Sequence, residues 1–224
     1  MNQNRSSAVM QQRSEPHDSL DDFPTPPWAV RALVEHVIWP SLNVYDPKSY
    51  CKSLQNVWEP ACNRGFLARP LKEYFGRVHS SDIHDYSEEW GGQERVTDFL
   101  YRGSEPPHFE RNGIDCIITN PPFRLAQQFF ERAADLRARN VALLVRSAFI
   151  EGVGRYEALF KRTPPSIFAQ FSERVPMVKG RCDPDVSSAT AYCWLVWLEG
   201  EEGCRLQWIP PCRRRLERAD DYEI

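Results

Sequence analysis

The chain has 224 residues, 42% of them apolar and 12% aromatic, enough for one well-buried core and short for two. A formal charge of −3 excludes a protein coated in basic charge and leaves room for a local basic face. Seven cysteines without a CxxC pair support neither a zinc ribbon nor a disulfide framework, and no apolar run approaches the roughly 18 residues of a membrane helix, so a soluble cytoplasmic protein with reduced thiols and no metal site is expected.

Residues 1–22 are polar, with no sustained apolar period, and are expected to form a flexible tail. Order is predicted from Phe23. In "PPWAVRALVEHVIW" the apolar residues Val30, Leu33, Val34, Val37 and Ile38 recur at helical spacing, with Pro27 in the first turn. "NVWEPACNRG" reads as a short strand running into a turn, and "FLARPLKEYFG" as the helix behind it, with Pro70 tolerated only near its start. "GRVHSSDIHD" is a second strand ending in acids, and "ERVTDFL" leads to a further acid-bearing loop. "IDCIITN" is the next strand, "LAQQFFERAADLRA" a helix and "NVALLVRSAFI" another strand. Strands alternating with helices predict an α/β fold with a mainly parallel sheet covered on both faces.

The last third changes character. "PSIFAQFSERVPMV" and "TAYCWLVWLEG" read as an antiparallel strand pair closing one edge of the sheet, separated by a polar segment rich in turn residues. The "CRRRLER" run is read as a solvated face, and residues 213–224 as a C-terminal tail.

In an open α/β sheet, ligands bind outside the carboxyl ends of the strands. The informative residues fall there: Glu59 to Gly65 after the first strand, Asp82 after the second, Asp98 in a following loop, and Asn120 to Phe123 after "IDCIIT". Asp82 follows Glu59 by about 20 residues, the spacing at which an acid accepts from ribose hydroxyls. Read alone, Asp98 is equally a turn or cap residue, and "NPPF" a strand terminator, since prolines cannot donate to the ladder.

Taken in order, "DDFPTPPWA", "EPACNRG", "SSDIHD", "TDFL" and "IITNPPF" resemble the class I S-adenosylmethionine-dependent methyltransferases, specifically those that methylate amino groups in DNA. The resemblance implies a Rossmann-like methyltransferase domain, assigned to residues 23–212, and S-adenosylmethionine as cofactor. It implies that Thr25 and Pro26 hold the methionine end and that Glu59, Pro60, Ala61, Cys62, Asn63 and Gly65 form the cofactor turn. Asp82 and Ile83 would take the ribose, Asp98 and Phe99 the adenine, and Asn120 would border the cofactor. Asn63 stands where such families commonly carry a first Gly, and Asn tolerates positive φ better than most residues.

The family chemistry gives the diproline a purpose. An exocyclic amine conjugated with its ring is a poor nucleophile, so acceptors must orient it. The Asn120 side-chain oxygen and the Pro121 carbonyl would accept its two hydrogens, Pro122 would stiffen the turn, and Phe123 would stack on an extruded base. Three readings follow: an adenine-N6 DNA methyltransferase, a methyltransferase for an RNA base or a protein glutamine, and a non-catalytic S-adenosylmethionine-binding module. Cytosine-C5 chemistry needs a Pro-Cys nucleophile, and the single such pair, Pro211-Cys212, lies beyond the predicted sheet. Lys179 and Arg181, in the polar segment between the last two predicted strands, are candidate DNA phosphate contacts.

Overall fold

The computed structural model describes residues 21–223. Eight strands form one sheet in the order β3-β2-β1-β4-β5-β7-β6-β8. They are β1 (Val57–Glu59), β2 (Val78–Asp82), β3 (Arg95–Val96), β4 (Cys116–Thr119), β5 (Asn140–Arg146), β6 (Ile167–Phe171), β7 (Tyr192–Trp197) and β8 (Arg205–Ile209). Strands β1 to β5 pair in parallel, β7 runs antiparallel to both β5 and β6, and β8 lies parallel to β6.

The central strands read as unbroken apolar runs because both faces are covered. Along β5, Ala142 and Leu144 join one core with Trp28 and Trp194, while Val141, Leu143 and Val145 join another with Trp58, Phe99 and Phe129. The first core is roofed by α1 (Pro27–Leu33) and α4 (Ala68–Tyr74), the second by α6 (Ala126–Asp135). Helix α1 continues through a π-turn over Val34–Ile38 into the short α2 (Trp39–Ser41).

Three predicted features differ from what is observed. The strand expected from "PSIFAQFSERVPMV" stops at Phe171: Val175 and Met177 are buried, but Pro176 between them has no N–H to offer a ladder. The antiparallel pair is accompanied by a third strand, β8, at the sheet edge. The C-terminal stretch expected as a tail is packed instead. It contains α8 (Arg213–Leu216), buries Leu216 and Asp221, and is tied to α1 by Arg31, which grips the Asp221 carboxylate with both amino groups at 2.7 and 2.8 Å. Arg31 also donates to the Leu216 carbonyl and to Glu73. The remaining helices, α3 (Pro47–Ser53), α5 (Pro107–Asn112) and α7 (Val153–Arg155), are short and lie in connections. Among the described residues, no helix is long and apolar enough to cross a membrane.

Candidate active site

Because β1, β2, β4 and β5 are parallel, their carboxyl ends share one edge, and a cleft opens there. Thr25, Pro60, Ala61, Cys62, Asn63, Asp82, Ile83, Asp98, Phe99, Asn120 and Pro122 line it together, joined by Asp21, Asp22, Phe23, Tyr86, Leu125 and Phe129. The turn after β1 is tight: the Cys62 N–H reaches back to Ser81 O of β2, and the Gly65 N–H donates to Cys62 O. Gly65 has φ of +79°, and a Cβ there would lie 2.3 Å from the Trp90 ring, so both conformation and contact require glycine. Asn63, at φ 49°, adopts the left-handed form with side-chain support: its Nδ2 donates to Asp22 and its Oδ1 accepts from the Arg64 N–H.

Asp82 terminates β2 and accepts from two backbone N–H groups, Asn63 at 2.9 Å and His84 at 3.0 Å, one on each oxygen. Burial nevertheless raises its pKa above the ordinary carboxylate value. Asp98 caps its own turn by accepting from the Leu100 N–H at 2.9 Å, and Phe99 is wedged edge-on against Trp58 and tilted on Phe129. Glu59 sits behind the cleft wall and is fully buried. One of its oxygens accepts from the Ala61 N–H and the Thr119 hydroxyl, and burial pushes its pKa up to about 8 despite those bonds.

Asn120 follows β4 directly. Its Nδ2 donates to the Phe23 carbonyl at 2.8 Å, whereas its Oδ1 is buried and, among the described residues, accepts no hydrogen bond. The Thr25 hydroxyl, in the same cleft, is likewise buried without a partner. Unsatisfied buried polar atoms are costly, by about 1–3 kcal/mol each, so two in one cleft mark places that a ligand would satisfy.

The segment 21–23, part of which was expected in the flexible tail, is held across this site. Asp22 pairs with Arg64 and accepts from Asn63, its carbonyl accepts from the Gly180 N–H, and Asp21 accepts from the Phe123 N–H. The ring of Phe23 lies against that of Phe123, with centroids 5.2 Å apart. The "DDF" in front of "TPP" was the available signal, but two acids ahead of a proline-rich stretch look like tail composition.

Several predicted residues lie elsewhere. Pro26 caps α1, and Pro121 is buried behind the cleft wall. Phe123 lines a second groove adjoining the cleft, together with Arg146 and Phe149. Lys179 and Arg181 line neither; they flank Gly180, which is bonded to Asp22 and Arg64, and Arg181 is paired with Asp183 at 3.0 Å. Cys212 is buried beside Glu173, away from the cleft, with its thiol pushed up to about 11, chiefly by burial.

No protein-family model matches the chain, and comparison with curated proteins finds no match. Solved structures share its architecture at low identity. In a DrdV–DNA complex the match covers 84% of this chain and 27% of the DrdV chain, with a TM-score of 0.54 and 13% identity. In LlaBIII, an ATP-dependent Type ISP restriction-modification enzyme bound to DNA, it covers 87% of this chain and 20% of that one, with a TM-score of 0.49 and 12% identity. A dimethyladenosine transferase from Plasmodium falciparum matches over 78% of this chain and 62% of its own, with a TM-score of 0.44 and 14% identity. The chain spans less than two thirds of each of these proteins. With the DrdV chain it shares a Rossmann-like α/β fold.

Proposed function

We propose that the chain transfers a methyl group from S-adenosylmethionine to an exocyclic amino group, adenine N6 in DNA. The observation that carries this reading is Asn120: a half-buried residue whose amide nitrogen is spent on the Phe23 carbonyl and whose buried oxygen faces no donor among the described residues, set on a rigid diproline beside an acid-lined cleft. With the amide so oriented, Oδ1 is left to accept from an amine.

The residues present fit the cofactor. It carries a sulfonium, an ammonium and an adenine amino group, and the cleft supplies Asp21, Asp82 and Asp98, with Asp22 paired to Arg64 and the Thr25 hydroxyl spare. Asp82 keeps lone pairs for ribose hydroxyls on both oxygens, Asp98 lies next to Phe99 for the adenine, and Glu59 sets the turn through the Ala61 N–H. S-adenosylmethionine supplies the activated methyl group. The protein's task is to present the nucleophile: Asn120 Oδ1 accepts an amine hydrogen and aims the nitrogen lone pair, the buried Pro121 stiffens the turn behind it, and Phe123 stacks on the extruded base.

The test is methyl transfer to DNA by the purified full chain with isotopically labelled cofactor, followed by identification of the modified base. N6-methyladenine is the expected product. Asn120→Ala should lower turnover about 100-fold or more while leaving cofactor binding intact, as removal of one preorganised contact to the transition state does. Parental turnover in Asn120→Ala would refute the assignment.

A further inference from the structure

We propose that the groove beside Phe123 is a DNA channel, in which Arg146 and Arg155, each laid over an aromatic ring, take the phosphates flanking the extruded base. The inference rests on the nucleobase reading of Asn120 and extends it to two arginines for which no substrate contact was foreseen.

Two charge environments meet at Phe123. The cleft on the Asn120 side is lined by four aspartates, suited to a cationic ligand and hostile to a polyanion. The adjoining groove is lined by Arg124, Arg146 and Arg155, and no acidic residue is among its described lining. The sign of the charge therefore reverses across one aromatic ring, which assigns the two ligands to separate compartments.

The arginines are also placed for this work. Arg146 ends β5, so it reaches the same sheet edge as Asn120, and its guanidinium lies 4.2 Å from the centre of the Phe123 ring. Arg155 lies 4.7 Å from the centre of the Phe149 ring and is anchored by donating to the carbonyls of Phe149 and Glu151. A planar guanidinium on a ring covers a surface that a base can cover instead. An exposed cation–π contact contributes about 0.5–1 kcal/mol, against about 1–3 kcal/mol for a base stacked on an aromatic side chain. A base arriving on Phe123 therefore wins the exchange, and the displaced Arg146 keeps its charge within reach of the neighbouring phosphate. Arginine suits that second contact because its fork of donors matches phosphate geometry. Lys179 and Arg181 do not line this groove, and Arg181 is occupied by Asp183.

Anisotropy titrations of the full chain with a fluorescent DNA duplex, across a range of salt concentrations and with S-adenosylhomocysteine present, test the proposal. Arg146→Gln/Arg155→Gln should lower the salt slope by about 1.8, at about 0.9 per lost duplex phosphate contact. Calorimetry should show unchanged S-adenosylhomocysteine binding in that variant, and Lys179→Gln/Arg181→Gln should keep the parental slope. A parental slope in the arginine variant, or loss of slope in the lysine–arginine control alone, would overturn the channel without touching the role of Asn120. An RNA strand bound in preference to DNA and weakened by the same substitutions would replace the DNA occupant with RNA. A parent that binds S-adenosylhomocysteine and neither nucleic acid would sink both the channel and the nucleobase reading.

Discussion

Glu59, read in the sequence as part of the turn after β1, lies wholly inside and shapes that turn through the Ala61 N–H. That burial has a sign. The folded carboxyl titrates near 8 against an ordinary value of 4.5, so between those values the folded chain binds a proton that the unfolded chain has released. Stability must then fall as pH rises through this window and level off above it. Glu59→Gln removes the titration, so the stability of the variant relative to the parent should increase from pH 5 to pH 8 in denaturant midpoints; an identical difference at both pH values would show that Glu59 is not held neutral. Asn63, Asp82, Asp98 and Asn120 were legible because their types at strand ends carry chemistry whatever surrounds them. Asp21, Arg146 and Tyr86 were not, since their positions depend on contacts remote in sequence.

Among elements, those buried on both faces were the readable ones. β4, β5 and β7 are continuous apolar runs, and α6 shows its buried stripe through Ala126, Phe129, Phe130 and Ala133. β3 has two residues, both exposed, and β8 leaves Leu206 and Trp208 in solvent, so neither presents a buried run to read. The C-terminal segment carried no apolar period either, because what fastens it is a charge. Arg31 is 4% exposed and Asp221 2%, with Glu73 completing the cluster. Breaking a buried pair by removing one partner costs about 3–5 kcal/mol. Since Glu73 still meets Arg31, Asp221→Ala is expected at the lower end, about 3 kcal/mol, which lowers the melting temperature of a chain this size by about 6–12 °C. A shift within about 1 °C in a thermal melt would mean the clasp is dispensable.

Across the molecule, the cleft draws on the segment 21–25, the turn after β1, the ends of β2 and β4, and the start of α6, so a ligand bound there would stabilise the whole fold. S-adenosylmethionine at about 100 times its Kd should contribute about 2.7 kcal/mol, raising the melting temperature by about 5–11 °C. If Asp82 takes the ribose as proposed, Asp82→Ala should weaken binding about 5- to 150-fold and shrink that rise at the same cofactor concentration. An unchanged rise would remove Asp82 from the site. The bond from Asn120 to Phe23 joins residues 97 apart, that from Phe123 to Asp21 residues 102 apart, and that from Arg64 to Gly180 residues 116 apart. Closures of this length are slow to form compared with local turns. During refolding, the amide of Asn120 acquires its orientation only once these distant segments have met, so methyl transfer should be the last property the chain regains. Under mild denaturant, the same three bonds lie at the rim rather than in the sheet, and catalytic competence should be lost while the strands are still paired.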